Sequence, residues 1–427
     1  MSSQLQTAIM QGGESLPVLM PGATESITVS DLTTSTSTAV YTAAVRLYAT
    51  AACKVAFGVS PAAAMTDMPL PATTPEWVSV NRAYKVAAMI PNPISVEGTV
   101  ADGTNLNNAS GVALTGTNLC VTSPDNDRLT CVSIATPATP SVTGSVTDGT
   151  NLNGACAVAI SGTNALVASS TGNSLAVCDI SNPASPTVTG TLIDATNLLG
   201  VAGVSAITGY AVCAATGGNR LTTVDISTPA SPVLGGTVQD NTNLNGATGV
   251  VASGNYAYVA CVAGDRLTVV DISTPGTPTV SGSVTSSAYL NGATGVALSG
   301  TYAVVAVAVS NALTIVDCST PASPVITGSV VSSQYLAGAS AVAVSGNRAF
   351  VSGTTNDYVV VVDITDKANP RIIGYVTDAT TLDAPKGLAV SGNYVAAAAS
   401  GVDSVTVLDA TAPSGTLYIT KALEVNG

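Results

Sequence analysis

The sequence reads as an all-β protein: an N-terminal β-sandwich followed by a seven-bladed β-propeller of 46-residue, four-stranded repeats. Three ladders of residues carry that reading. Asp179, Asp225, Asp271, Asp317, Asp363 and Asp409 fall 46 residues apart, with Ser133 one step earlier. Gly98, Gly144, Gly190, Gly236, Gly282, Gly328 and Gly374 keep the same step and count seven copies. Pro140, Pro186, Pro232, Pro278, Pro324 and Pro370 keep it again. A period of this length belongs to propellers, solenoids and arrays.

Each unit divides into four short runs, seen in the stretch from Thr248: TGVVAS, YAYVACV, RLTVVDI and TVSGSVT. Val, Thr, Ile and Tyr fill the runs, and Gly, Ser, Asn and Pro fill the gaps, the composition of strands and turns. Ser253-Gly254, Ser299-Gly300, Ser345-Gly346 and Ser391-Gly392 sit between the first two runs, where hairpins turn. No segment carries helical periodicity, which removes the helical solenoids. Closure into a ring hides strand edges that an open array would expose.

The strand positions follow from residue size. The first strand opens on a tiny residue in every unit, Gly111, Ala157, Gly203, Gly249, Gly295, Ala341 and Gly387, as expected beside a crowded central axis. The proline ladder opens the fourth strand, so that strand is expected outermost. ISVEGTV from Ile94 is a fourth strand that precedes any complete unit, and it is expected to close the last blade. The tail GTLYITKALEV from Gly415 competes for that role or packs elsewhere. Leu106, Leu152, Leu198, Leu244, Leu290, Leu336 and Leu382 recur in the connecting loops and are expected to plug the seams between blades.

The phrase L-T-V-V-D-I-S-x-P, here Leu267, Val269, Val270, Asp271, Ile272, Ser273 and Pro275, resembles the repeat of the LVIVD family. The resemblance covers about residues 92 to 411 and implies a β-propeller. Ser133 blunts the first copy and Ala410-Thr411 the last, as terminal copies of arrays often are.

Before Ile94 the period fails. VYTAAVRLYAT, CKVAFGV, EWVSV and YKVAAMI read as strands of a small β-sandwich over residues 1–91, leaving 92–427 to the propeller and its tail. Arg46, Cys53 to Gly58, Ser60-Pro61, Leu70 to Ala72 and Pro75-Glu76 make this segment similar to a small domain of bacteriophage virion proteins. That resemblance implies a structural, particle-anchoring role. Trimers are the oligomers it implies by analogy.

Composition narrows the function. The chain has 12 Lys and Arg against 25 Asp and Glu, a net charge of −13 and no His. Its basic residues come singly, so no stripe exists to neutralise a nucleic-acid backbone. Without His there is no Ser-His-Asp triad and no imidazole metal ligand. The repeated aspartates sit at equivalent blade positions, pointing around a ring rather than into one pocket. They are expected to fix the turn into the outer strand by accepting backbone N–H groups. The eight cysteines show no C-x-x-C pair and sit in apolar runs, as reduced, buried thiols do. The start has no basic segment followed by an apolar one, which reads as cytosolic folding. No cofactor is expected.

One motif remains as a contact surface: DGTNLNNA from Asp102, DGTNLNGA from Asp148, DATNLLGV from Asp194 and DNTNLNGA from Asp240. Asn105, Asn107, Asn151, Asn153, Asn243 and Asn245 are its candidate contacts, for sugar hydroxyls or, through oxygen ligands, for calcium; more often such residues only satisfy the backbone groups of their own loop. The reading that follows is a non-enzymatic virion protein, a capsid decoration, head fibre or tail-associated module assembled in the bacterial cytoplasm. It would be anchored to other virion proteins by its N-terminal domain, with the propeller offered to protein or host surface. A bacterial surface adhesin or carbohydrate-binding propeller is the alternative.

Overall fold

The computed structural model describes residues 94–411 throughout and, outside them, eight strands between Met20 and Leu423. The chain divides into two units, Ile94–Thr411 and Met1–Pro93 joined by Ala412–Gly427.

The second unit is a seven-bladed propeller, each blade a four-stranded antiparallel sheet, in sequence order from axis to rim in blades 1 to 6. Blade 2 shows the pattern: Ala155–Ser161, Asn164–Ser169, Ser174–Asp179 and Thr187–Ile193. The middle two strands are buried along almost their whole length, so they read as continuous Val/Ala/Leu runs rather than alternating ones. The outer strand alternates, with polar residues toward solvent.

The ring closes as expected. Ser95–Ala101 pairs antiparallel with Ser404–Asp409 and supplies the outer strand of blade 7, so the last sheet is built from both ends of the propeller. At the axis the small-residue ladder is a steric requirement. A Cβ on Gly387 of blade 7 would lie 2.0 Å from the carbonyl oxygen of Ser110 in blade 1, and one on Gly203 would lie 2.2 Å from that of Thr248. The glycines of the outer strands answer a different approach: a Cβ on Gly98 would meet the carbonyls of Pro137 and Ala138 at 2.5 Å, in the proline turn of the next blade. Each outer strand carries a register shift beside this glycine, for example between Val177 and Cys178 of the partner strand. Such bulges sharpen the local bend of a rim strand.

The leucine ladder lies at the seams. All seven leucines are fully buried. Leu152 packs among Cys120, Leu129 and Cys131 of blade 1 and Val167, Ala176 and Cys178 of blade 2. The apolar side chains thus gather in separate clusters at the seams, six of them seen between successive blades, rather than in one central core.

The cysteines within the propeller are free thiols, six of them buried. Cys120 and Cys131 are cross-strand partners in blade 1. Burial pushes the thiols of Cys178, Cys213 and Cys261 up to about 12.

In the first unit two four-stranded sheets are formed. The C-terminal strand Gly415–Leu423 lies in one of them, between Met20–Val29 and Ala44–Ala49 and antiparallel to both. The tail therefore packs with the N-terminal strands and leaves the clasp to Ser95–Ala101. The side chains of this unit, buried Val55 apart, lie outside the described residues, and with them the layer packing of the expected sandwich. Among the described residues no helix is long and apolar enough to cross a membrane.

Candidate binding face

The loops that link blades and the turns between second and third strands lie at one end of every blade, and they form one face of the disc. Its geometry starts from a short local motif. The Asp102 carboxylate accepts the backbone N–H groups of Thr104 and Asn105, both at 3.0 Å, and the Asn105 side-chain amide at 2.7 Å. Asp148 repeats this with Thr150 and Asn151, Asp194 with Thr196 and Asn197, and Asp240 with Thr242 and Asn243. The side-chain amide of Asn105 holds the carboxyl of Asp102 below the usual carboxylate range, and the backbone N–H groups of Asn151 and Asn243 do the same for Asp148 and Asp240. An acid serving its own turn this way is a structural device.

A second ladder locks each loop to the preceding blade turn. Asp127, Asn173, Asn219, Asp265, Asn311, Asp357 and Asp403 all adopt left-handed backbone, with φ between 47° and 58°. Asp and Asn tolerate that region better than other side chains. Each side-chain oxygen accepts a backbone N–H of the following loop, from Gly154 to Asp127 at 2.8 Å through to Ala384 to Asp357 at 2.9 Å. The seventh bond closes the circle, from the N–H of Asn108 to Asp403 at 2.9 Å, while the Asp403 carbonyl accepts the N–H of Asp102. Asp403→Ala removes this closing bond and places alanine in left-handed backbone, and is expected to cost about 2 kcal/mol. Asp403→Asn, the residue three other blades carry there, should be near neutral. Urea titration of the two variants checks the contrast.

Behind the loops sits a third set of equivalent positions whose identity changes around the ring. In blade 1 Arg128 Nη1 donates to Asn105 Oδ1 at 2.6 Å and to Ser145 Oγ at 2.8 Å. Blade 4 repeats it with Arg266, Asn243 and Ser283 at the same distances. In blade 6 the three positions hold Tyr335, Tyr358 and Tyr375, whose rings pack with centroids 4.7 to 5.7 Å apart. Aromatic edge-to-face packing replaces the polar network at the same place.

These contacts locate the residues expected from sequence. The side-chain amides of Asn105, Asn151 and Asn243 turn inward to the loop aspartates. Asn107 donates to Asn126 Oδ1 at 3.2 Å. Asn153 and Asn245 are half-buried on equivalent loops, and among the described residues their side chains have no hydrogen-bond partner. The repeat therefore spreads these six around the ring and brings no more than one loop's pair together. Among the described residues no group of three or more Cys, Asp or Glu side chains is placed to hold a metal ion.

The aspartates of the VVDIS phrase, on the opposite face, behave as expected. Asp179, Asp225, Asp271 and Asp317 accept the N–H of the serine two residues on, at 2.8 to 2.9 Å. Hydrogen bonds from those serines hold all four carboxyls below the usual range. Asp363 also pairs with Arg371 at 2.7 Å. A carboxyl whose folded pKa is depressed stabilises above its unfolded pKa of about 4, and that contribution is lost as pH falls through the folded value. With no His to titrate, thermal stability is expected to be flat from about pH 5 to 8 and to fall below about pH 4. Thermal melts across that range check it, and a midpoint near neutral pH would contradict it.

Ring closure, four-stranded blades and a loop face define the unit as a seven-bladed β-propeller. Five segments of it match the LVIVD repeat: residues 154–194, 201–240, 246–286, 292–332 and 338–378. These span blades 2 to 6, and the two blades next to the clasp fall outside the match. No curated protein matches the chain in sequence. Among solved structures, a functionally unknown protein from Desulfotomaculum acetoxidans is 16% identical, with TM-score 0.55, covering 69% of this chain and 97% of its own. Virginiamycin B lyase from Staphylococcus aureus is 11% identical, with TM-score 0.58 and coverage of 73% and 98%. Hydrazine synthase from Kuenenia stuttgartiensis is 16% identical, with TM-score 0.56 and coverage of 73% and 97%. At these identities the likeness is one of fold alone.

Proposed function

We propose that the protein is a non-enzymatic structural component of a bacteriophage particle, a capsid decoration, head fibre or tail-associated module. Residues 1–91 would form a β-sandwich that anchors it to other virion proteins, and the propeller would meet a protein or host surface. The observation that carries this reading is topological: the propeller is inserted between strands of the other unit, because Gly415–Leu423 returns to pair with Met20–Val29 and Ala44–Ala49. Insertion of one unit into the chain of another suits a module displayed by a domain that anchors it. The virion-like motifs of that foot, Arg46, Cys53 to Gly58 and Pro75-Glu76, add to it. The non-enzymatic part is supported by the carboxylates described above, each committed to its own turn or loop. Assembly in the host cytoplasm and a homo-oligomeric, trimeric foot complete the proposal. Mass spectrometry of gradient-purified particles should find peptides from both units at stoichiometric copy number. Their absence from particles overturns the virion role, and turnover of a polysaccharide panel overturns the non-enzymatic one.

A second reading, a bacterial surface adhesin or carbohydrate-binding propeller, is favoured by exposed Tyr289 on the loop face. Recovery of the chain in the bacterial surface fraction, with glycan-array binding lost in Tyr289→Asn, would select it.

A further inference from the structure

The loop face is divided into two unlike halves. Six of the ten exposed large apolar side chains of the propeller lie on it, all in blades 2 to 5: Ile193, Leu199, Val262, Tyr289, Val309 and Val331. The last four lie on neighbouring loops and turns. The turn holding Val262 ends at Asp265, which accepts the N–H groups of Ser286 and Gly292 on the loop that carries Tyr289. That loop packs on the turn of Val309, since a Cβ on Gly292 would touch the Val309 side chain. Asn311, two residues further, accepts the N–H of Ser332, next to Val331. Val309 is 63% exposed, Val331 55% and Tyr289 45%. Exposed apolar side chains clustered on neighbouring loops in this way mark interaction sites.

The other half of the face is the more acidic one. Blades 6, 7 and 1 place Asp357, Asp378, Asp383, Asp403, Asp102, Asp125 and Asp127 on the same loops and turns, against Lys386 and Arg128, whereas blades 2 to 5 place Asp148, Asp194, Asp240 and Asp265 there, against Arg220 and Arg266. Around the apolar cluster the repeat itself changes: the loop aspartate of blades 1 to 4 becomes Ser286 and Ser332 in blades 5 and 6, and the loop asparagine becomes Tyr289 and Tyr335. An apolar half beside a half with excess acidic charge is complementary to a polypeptide whose apolar anchor adjoins a basic stretch.

We propose that the loop face docks such a polypeptide, its aliphatic or aromatic anchor on Val262, Tyr289, Val309 and Val331 and its lysines or arginines over the carboxylates of blades 6, 7 and 1. The proposal rests on reading the propeller as a binding module and is independent of the virion role. The charge asymmetry selects this partner over a second copy of the chain, whose own loop face is equally acidic, and over an anionic membrane surface.

The other blades supply well-tolerated variants. Asn holds the place of Tyr289 in four blades, Asp the place of Val309 in blade 1, and Thr the place of Val331 in blades 1, 4 and 6. The triple variant Tyr289→Asn, Val309→Asp, Val331→Thr removes the apolar half. Asp125→Thr with Asp383→Asn, again residues of other blades, thins the acidic half. The probes are random 15-residue peptides displayed on phage and selected on the immobilised full chain, with the tightest resynthesised for anisotropy titration. Enriched peptides should carry an apolar anchor beside net positive charge. Their affinity should fall at least about tenfold in the triple variant, a loss of roughly 1.4 kcal/mol. It should also fall several-fold in the double variant, with a weaker dependence on salt than in the parent. Unchanged melting temperatures separate lost contact from lost fold. Neutral or acidic binders, binders indifferent to the triple variant, no binders, or self-association abolished by Val309→Asp would each overturn the proposal. Absence of the chain from phage particles would leave it standing.

Discussion

Gly387→Val is expected to be among the most damaging single substitutions in the propeller. The new Cβ would lie 2.0 Å from the carbonyl oxygen of Ser110, a backbone atom with no rotamer through which to retreat. Overpacking in a well-packed interior costs about 1–3 kcal/mol and occasionally more, and a clash with backbone at the junction of blades 7 and 1 belongs at or above the upper end. For a domain of about 320 residues, about 3 kcal/mol corresponds to a fall in Tm of roughly 4–5 °C. Gly116→Val is the control. That glycine has nothing within 4 Å of its Cβ position, so only the strain of its φ of 58° is added. Calorimetry of the two variants should separate them clearly, and equal losses would show that the axis is not the constraint.

Leu106→Ala is expected to cost about 3–4 kcal/mol, within the range for fully buried leucines that leave a cavity behind. Its side chain fills the seam between blades 7 and 1, among Leu119, Val121, Ala396, Ala398 and Val405. Leu290→Ala at the seam of blades 4 and 5 removes the same volume and should cost a similar amount at equilibrium. The kinetics should differ. The seam at Leu106 is crossed by the clasp, where strands from the two ends of the domain meet, and it is the natural place for the ring to open. Leu106→Ala should therefore accelerate unfolding more than Leu290→Ala does. Stopped-flow unfolding in guanidinium measures the difference, and matching rates would place the opening elsewhere.

Residues that repeat in identity made most of this architecture legible in the sequence. Gly387 and its equivalents had to be small at the axis, Leu106 and its equivalents had to be apolar at the seams, and Asp271 and its equivalents served the turn two residues on. The clasp was readable because Ser95–Ala101 is an outer strand with no preceding unit. What escaped repeats in conformation rather than identity. Asp127, Asn173 and Asn219 share a left-handed backbone and a hydrogen bond to the loop 27 residues on, yet they alternate between Asp and Asn within phrases that otherwise differ. The alternation of Asp and Asn before the third strand, at the common 46-residue step, was the available signal. Arg128 and Tyr358 occupy one structural position with no chemical likeness at all. The return of Gly415–Leu423 to the N-terminal strands has no period to betray it, since a single long-range pairing leaves no echo elsewhere in the chain. At the candidate face, the asparagines singled out by repetition proved largely to be loop supports. The apolar half was visible only where the repeat decays.

The joined ends of blade 7 also decide how the propeller would bear tension. Ser95 and Asp409 are cross-strand partners, so the propeller begins and ends at one point of its rim. A pull that parts these two residues loads the sealing pair, Ser95–Ala101 on Ser404–Asp409, from one end and opens its hydrogen bonds one after another, while the six other sheets of the propeller carry no load.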